Sequence, residues 1–497
     1  MTKLNWRSPR RWLVTSCSAG TALWLAGACS AAVVTSWTAP RGGLFSDPAN
    51  WSAGVPGSSD TAVFDLVSSY PVDLDDSTAA SRMLVRSGQV TLNLGGNTLD
   101  LLNGVAFTPG LVVGNLAGDD GALLLAKGTI AASFASIGFE PASSGSLEVG
   151  AGAVLDVANQ LAIGQRGVGA IAIDGGAVGA WGMQLGSLAS SVGTATIIGG
   201  ASSLDIDTDL IVGFEGSGTL LVQDGAVVTA DQVVIAQQTY SVGSIVVEGD
   251  GSMLVLGGSL DIGFDAMGSL TIADGGRVET GTFVTMGTLP EPWFEENPPP
   301  AGNGTVSVLG PGSLWIVGGD LHCPYLGYAT LTLGDGGRVF VGGDVEFLAP
   351  SYATVTIVLS AADVNGDALV GAAGSVALDP ETPQVFAIEL ADGFVPIAGD
   401  QFTILAGSEI TGATPEPTLP SLPVGLAWSS VVSFESGSAS WVLRIVVAAD
   451  YNGDGVVDGA DLGTLLALWG GAEGDLNGDG IVNGADLGIL LAFWSAP

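Results

Sequence analysis

Positive charge is the scarcest thing in this sequence: 12 Lys and Arg stand against 50 Asp and Glu in 497 residues, a formal charge of −38. Lys3, Arg7, Arg10 and Arg11 crowd into the first eleven positions, and no cation follows Arg444. A chain this acidic repels phosphate backbones and anionic bilayers, which argues against nucleic acid and membrane surfaces as partners, and it attracts divalent cations. Cysteine is nearly absent, with three in the chain. Cys17 and Cys29 fall in the leader described next, so Cys323 is left alone and a disulfide framework is excluded. Charged residues make up only 12% of the chain, which is not the charge-rich composition of disorder. Helical periodicity is missing from the long middle of the chain, and 77 glycines are too many for helices. Short strands joined by small polar turns account for what remains.

Residues 1–32 read as an export signal. The basic start is followed by an apolar stretch from Trp12 to Ala28, and Ser30-Ala31-Ala32 offers small residues for cleavage. Thr15, Ser16 and Ser18 interrupt the apolar run, which is too short for a membrane anchor. Two other routes stay open. Ala26-Gly-Ala-Cys29 is close to a lipoprotein box with Leu25 one place early, and Arg10-Arg11 is close to a twin-arginine signal.

The middle of the chain repeats itself. Gly121, Gly145, Gly169, Gly193, Gly218, Gly243 and Gly268 each open a Gly-small-apolar phrase, in three steps of 24 residues and then three of 25. The next step, to Gly304, is 36, and the one after it, to Ala329, is 25 again. Within one repeat, Leu270 and Ile272 alternate with Ser269 and Thr271 as a strand does. Asp274-Gly275-Gly276 is a turn, Val278 begins a second strand, and Phe283 with Met286 sits in a third before Gly287. Three short strands and three Gly-rich corners per repeat suit one coil of a parallel β-helix, in which neighbouring coils bury what one coil cannot. Propeller blades need about 40–45 residues, and a sandwich does not repeat so regularly. The expected fold is mainly β: a solenoid of about 24–25 residues per coil over 101–348, between β-rich caps at 33–100 and 349–447.

Ahead of the repeats, Asp47-Pro-Ala-Asn50-Trp51 leads into Gly54-Val-Pro56-Gly-Ser-Ser-Asp60-Thr-Ala-Val63-Phe64. This phrase resembles the opening of bacterial surface proteins built from autotransporter-associated β-strand repeats. A cap is what physics asks for there, since the first coil has an open edge. Val90 to Leu94 and Leu99 to Leu101 read as first rungs. The segment from Gly371 to Trp428 resembles the one that closes many such proteins. Asp363-Val-Asn-Gly-Asp367 imitates a calcium loop, but Ala368 and Gly374 replace the turn glycine and closing carboxylate, so it reads as a plain turn.

The 36-residue step holds an insertion, Leu289-Pro-Glu-Pro-Trp293-Phe294-Glu-Glu-Asn-Pro-Pro-Pro300, whose prolines exclude helix and strand. Trp293 and Phe294 are candidates for a glycan or protein contact, or fold back on the solenoid wall. His322, the one histidine, precedes Cys323, but neighbours on a strand point to opposite faces, so the pair reads as rung residues without chemistry.

After Val447 the chain becomes Asp450-Tyr-Asn452-Gly-Asp454-Gly455-Val456-Val-Asp458-Gly-Ala-Asp461, and 25 residues later Asp475-Leu-Asn477-Gly-Asp479-Gly480-Ile481-Val-Asn483-Gly-Ala-Asp486. Calcium takes six to eight hard oxygens, supplied by loop positions 1, 3, 5, 7 (a backbone carbonyl), 9 and 12, with a glycine bend at position 6. Both copies fill every slot, so two calcium ions are expected, with the Val456 and Ile481 side chains turned into the core. Each loop runs into an amphipathic helix, with Leu462, Leu465, Leu466 and Trp469 in the first and Leu487, Leu490, Leu491 and Trp494 in the second. No helix is foreshadowed before either loop. In this, residues 448–497 closely resemble a type I dockerin, a duplicated calcium loop–helix module. The resemblance implies docking to a cohesin-like protein through loop positions ten and eleven, here Gly459-Ala460 and Gly484-Ala485. The family often has Ser-Thr at these positions, so partner identity does not carry over.

The reading this supports is an exported, non-catalytic surface or matrix protein, a β-helical scaffold with a calcium-dependent docking tail. The alternative is a dockerin-tethered polysaccharide-degrading or carbohydrate-binding protein. Against a lyase, few cations remain after the leader beyond Lys127 and scattered arginines. Against a glycosidase, Asp205, Asp207 and Asp209 alternate along a strand as its solvent face rather than spanning a sugar.

Overall fold

The computed structural model describes residues 32–102, 108–288, 302–324, 327–347, 352–378, 385–435 and 437–495. The leader expected at residues 1–32, with Cys29, and the insertion with Trp293 and Phe294 lie outside these residues except for Ala32. The chain is mainly β, a parallel solenoid of about 12 turns. A representative coil consists of strands Ser217–Gln223, Val227–Ala230 and Gln232–Ile235. Each pairs in parallel with its equivalent in the next coil: Gly218 with Gly243, Val228 with Leu254, and Val233 with Leu260. Among the described residues the first face is a 14-stranded sheet, and the other two faces merge into a 28-stranded one. They merge because strands Ala153–Ile163 and Ala177–Leu185 turn the corner between faces unbroken, with a local irregularity between Val157 and Gln160.

The glycine phrase marks the register. Gly121, Gly145, Gly169, Gly193, Gly218, Gly243, Gly268 and Gly304 pair in one column, continued by Ala329 and Ala353. The inward positions two residues on, such as Leu147, Ile171, Leu220, Ile245 and Leu270, are at most 2% exposed. The column lies where the third face of one coil meets the first face of the next. A Cβ on Gly193 would collide with the Ile163 carbonyl oxygen, so glycine is needed where the backbones approach this closely. The 36-residue step keeps register, because Gly302 N–H donates to the Thr288 carbonyl at 2.7 Å and pinches the insertion off. In the repeat dissected above, the third strand is Val284–Met286, and Phe283 precedes it, 45% exposed rather than inside.

The front of the solenoid starts earlier than Val90. Strand Val34–Ser36 already pairs with Thr61–Phe64, and Ser69–Asp73 with Gln89–Asn93. Here the coil is filled by aromatics: Trp51 meets Trp37, Phe45 and Phe64 with ring centroids 5.0–5.5 Å apart. The polar residues of the opening phrase tie this plug down. Asp47 caps the short helix Pro48–Asn50, Trp51 Nε1 donates to the Phe45 carbonyl, and Asp60 accepts from the amides of Val33 and Gly57.

The stretch from 349 onward begins with more coil rather than with a cap. Strands Tyr352–Leu359 and Val385–Leu390 extend the first face, and Leu405 and Ile410 pair in parallel with Val370 and Val376. Closure falls to a hairpin, Leu426–Glu435 and Ser438–Val447, whose second strand runs antiparallel to Gln401–Gly407. Its Trp441 is fully buried against Phe386. The Asp363 segment is a turn, as expected: the buried Asp363 accepts from Arg338 Nη1 at 2.6 Å and closes a capping box with Ser360. No helix of the described residues is long and apolar enough to cross a membrane.

Backbone crowding at the glycine column is testable against the natural alanine in the same register. Gly193→Ala should destabilise its coil by about 1–3 kcal/mol, whereas Ala329→Gly should cost under about 1 kcal/mol, measured by denaturant unfolding. Equal losses would mean the column is not sterically limited there.

Candidate metal centre

The last fifty residues carry a small core of their own, with Ala449, Val457, Leu465, Val482 and Leu490 buried together. Two helices frame it, α1 (Gly459–Ala467) and α2 (Gly484–Ala492). Their starts are fixed by reciprocal caps: Asp458 and Asn483 accept from the amides of Ala460 and Ala485, and Asp461 and Asp486 reach back to the cap residues' own N–H groups.

The loops before the helices are folded around their acidic side chains. Asp450 accepts from the amides of Gly453, Asp454 and Gly455, at 2.9–3.2 Å. Asp475 holds Gly478 and Gly480 in the same way. Gly455 and Gly480 have φ of +86° and +93°, the left-handed bend that position six requires. In the second loop, Asn483 Nδ2 lies 3.3 Å from Asp479 Oδ2 and 3.1 Å from the Ile481 carbonyl, and Asn477 Nδ2 lies 3.0 Å from the same Asp479 oxygen. Positions 3, 5, 7 and 9 therefore converge. In the first loop Asn452 Nδ2 likewise lies 3.0 Å from Asp454 Oδ2.

Position twelve is a clasp. Asp461 Oδ1 accepts from Tyr451 and Asn452, and Oδ2 from Asp458. Asp486 does the same with Leu476, Asn477 and Asn483. Both residues are fully buried. Burial pushes their pKa values up, but the backbone N–H donors outweigh it and hold both carboxyls below the ordinary aspartate value. Among the described residues no group of three or more His, Cys, Asp or Glu stands close enough together to hold a metal on those side chains alone. A calcium ion there would draw on carboxylate, Asn amide and backbone carbonyl oxygens, hard donors of the kind it takes.

Two details differ from expectation. Val456 and Ile481 are 42% and 46% exposed, and the following Val457 and Val482 fill the core at 2% and 0%. Successive side chains of extended backbone point to opposite sides, so with Val457 and Val482 in the core the residues before them face out. The helical stripe is also narrower than its pattern. Leu465 and Leu490 are buried, whereas Leu466, Trp469, Leu491 and Trp494 are 39–53% exposed. These apolar residues, which the periodicity assigned to the core, share the tail's surface with the exposed Gly459, Ala460, Gly484 and Ala485. Gly463 and Gly488 extend the exposed face of each helix, so Gly459–Gly463–Leu466 and Gly484–Gly488–Leu491 form matching lines at helical spacing.

Asp205, Asp207 and Asp209 are exposed, and burial together with Asp205 and Asp156 raises the Asp207 pKa. His322 faces outward with Nδ1 2.8 Å from Glu346 Oε2, while Cys323 is fully buried and its thiol is pushed up to about 12. A thiol so far from ionising is no nucleophile. No known family matches the chain, and no curated protein does.

The clasp has a pH signature. A carboxylate with a depressed folded pKa contributes stability that is present above its unfolded value, about 3.9, and is lost as pH falls through the folded one. Amide protection factors over 448–495, corrected for the intrinsic pH dependence of exchange, should hold at pH 5 and fall below about pH 4. Protection that persists unchanged to pH 2 would contradict the clasp.

Proposed function

We propose that the protein is an exported, non-catalytic scaffold of the autotransporter-associated repeat type, whose tail is a dockerin-like, calcium-dependent docking module. The convergence of positions 3, 5, 7 and 9 in the second loop is the observation that carries this reading, and the matching sequence of the first loop supports it. Asp450, Asn452, Asp454, Asp458, Asp461 and the Val456 carbonyl would hold one ion. Asp475, Asn477, Asp479, Asn483, Asp486 and the Ile481 carbonyl would hold the second. The bound ions would neutralise the clustered carboxylates and stiffen both loops.

The docking surface proposed for a cohesin-like partner is the pair of matching lines on α1 and α2, with Trp469 and Trp494 beside them. Half-exposed tryptophan and leucine next to glycine give an apolar, close-approach surface of the kind that anchors interfaces. Because both halves carry it, the partner is expected to bind in either of two orientations. Export is supported by the basic and apolar leader, and the scaffold role by the long solenoid.

Chelation with EGTA should release protection across 448–495 while leaving solenoid strand content intact, read by amide exchange and circular dichroism. Asp454→Ala with Asp479→Ala should abolish the calcium response and calcium-dependent capture of a surface partner. A tail indifferent to calcium in calorimetry would remove the metal, and the docking proposal with it.

A further inference from the structure

A second candidate site lies on the outer wall of the solenoid, far along the chain from the tail. On the third face one outward column runs Gln184, Ile211, Val234, Asp261, Thr285, His322 and Glu346 through successive coils. Its first members are amide or aliphatic. From Asp261 the column becomes polar and titratable over four coils, about 14 Å at roughly 4.8 Å per coil. At the same place two phenylalanines stand out from the wall, Phe264 and Phe283, 38% and 45% exposed. Together with Asp261, Thr285, Thr288 and His322 they line a shallow cavity of about 400 Å³.

The lining is held in place from behind. Thr285 Oγ1 donates to Asp261 Oδ1, Thr288 Oγ1 donates to the Phe264 carbonyl, and Glu346 anchors His322 at 2.8 Å. Thr285 and Thr288 are nearly buried, 7% and 8% exposed. Burial raises the Asp261 pKa against the lowering effect of Thr285, so this desolvated carboxylate gains from further hydroxyl donors.

The chemistry of these six residues selects a ligand class. Two half-exposed rings supply apolar faces, and a carboxylate, a hydroxyl and an imidazole supply directional hydrogen bonds beside them. No Lys or Arg lines the cavity, and the chain's charge of −38 disfavours phosphates, sulfates and uronates. A wholly apolar ligand would cover Asp261 and His322 while offering them nothing beyond the bonds from Thr285 and Glu346. The geometry points to a glycan subsite that takes one non-acidic hexopyranose unit of a polysaccharide, its C–H face on Phe264 or Phe283 and its hydroxyls on Asp261, Thr285 and His322. The site does not depend on the calcium reading, since no residue of 448–497 takes part.

The test is direct binding by the full-length protein, with calcium present, to a glycan array covering neutral, amino and uronic-acid polysaccharides. Isothermal titration follows with the hexasaccharide of the strongest binder. Binding to a neutral or amino glycan is expected, with affinity falling at least tenfold in Phe283→Ala and in Asp261→Asn while the melting temperature and circular dichroism stay unchanged. Phe283 is exposed, so its truncation leaves folding intact and keeps the test decisive. Three results would each overturn the assignment: no glycan bound at millimolar concentration, preference for uronates, or binding that both variants leave untouched.

Discussion

In-register stacking is the constraint on which the rest of this protein depends. A three-stranded coil of two dozen residues cannot bury its own inner face, so each inward Leu, Ile or Val is covered only because an equivalent residue lies one coil above and another below. The same stacking satisfies the backbone amides of neighbouring coils. It also sets how closely chain segments meet at the corners, which is why a glycine column runs through eight coils and side chains return only at Ala329 and Ala353. The two ends then pose a separate problem, because each presents an unpaired edge. The front answers with Trp37, Phe45, Trp51 and Phe64 in place of another coil. The back answers with a hairpin, Ser438–Val447 lying antiparallel along Gln401–Gly407 and covered in turn by Leu426–Glu435, with Trp441 buried against Phe386.

Much of this was legible in the sequence because the repeat is written in residue types that have one physical use. Glycine at fixed intervals, followed by alternating small and apolar residues, gave the register that the paired columns show. Reading failed where the repeat lost its glycine without losing its geometry. From Tyr352 the Gly-small-apolar phrase fades, yet Tyr328 pairs with Tyr352 and Thr354 with Val385, because backbone pairing tolerates any inward residue of adequate size. The early strands at Val34 and Thr61 were hidden for the same reason, being too short to alternate visibly.

In the tail, spacing revealed which residues gather but not which way they face. Asp450, Asp454 and their counterparts organise the loops as their positions suggest. Two adjacent valines cannot both turn inward from extended backbone, and their composition does not say which one does; Val457 rather than Val456 enters the core. Likewise, each nine-residue helix buries one leucine, Leu465 or Leu490, so the i+3 and i+4 pattern overstated the buried stripe and concealed an outward apolar surface at Leu466 and Leu491. The wall cavity left almost no trace in the sequence, because its residues come from separate coils 24 and 37 positions apart, at 261, 285 and 322.

The bond between Gly302 and Thr288 has a consequence beyond the loop it closes. Because one backbone contact restores register before the next coil begins, the wall is indifferent to what is carried between these two residues. Corners of this kind are sockets: a lineage can swap, lengthen or delete the cargo at such a corner while the scaffold beneath goes on being inherited intact.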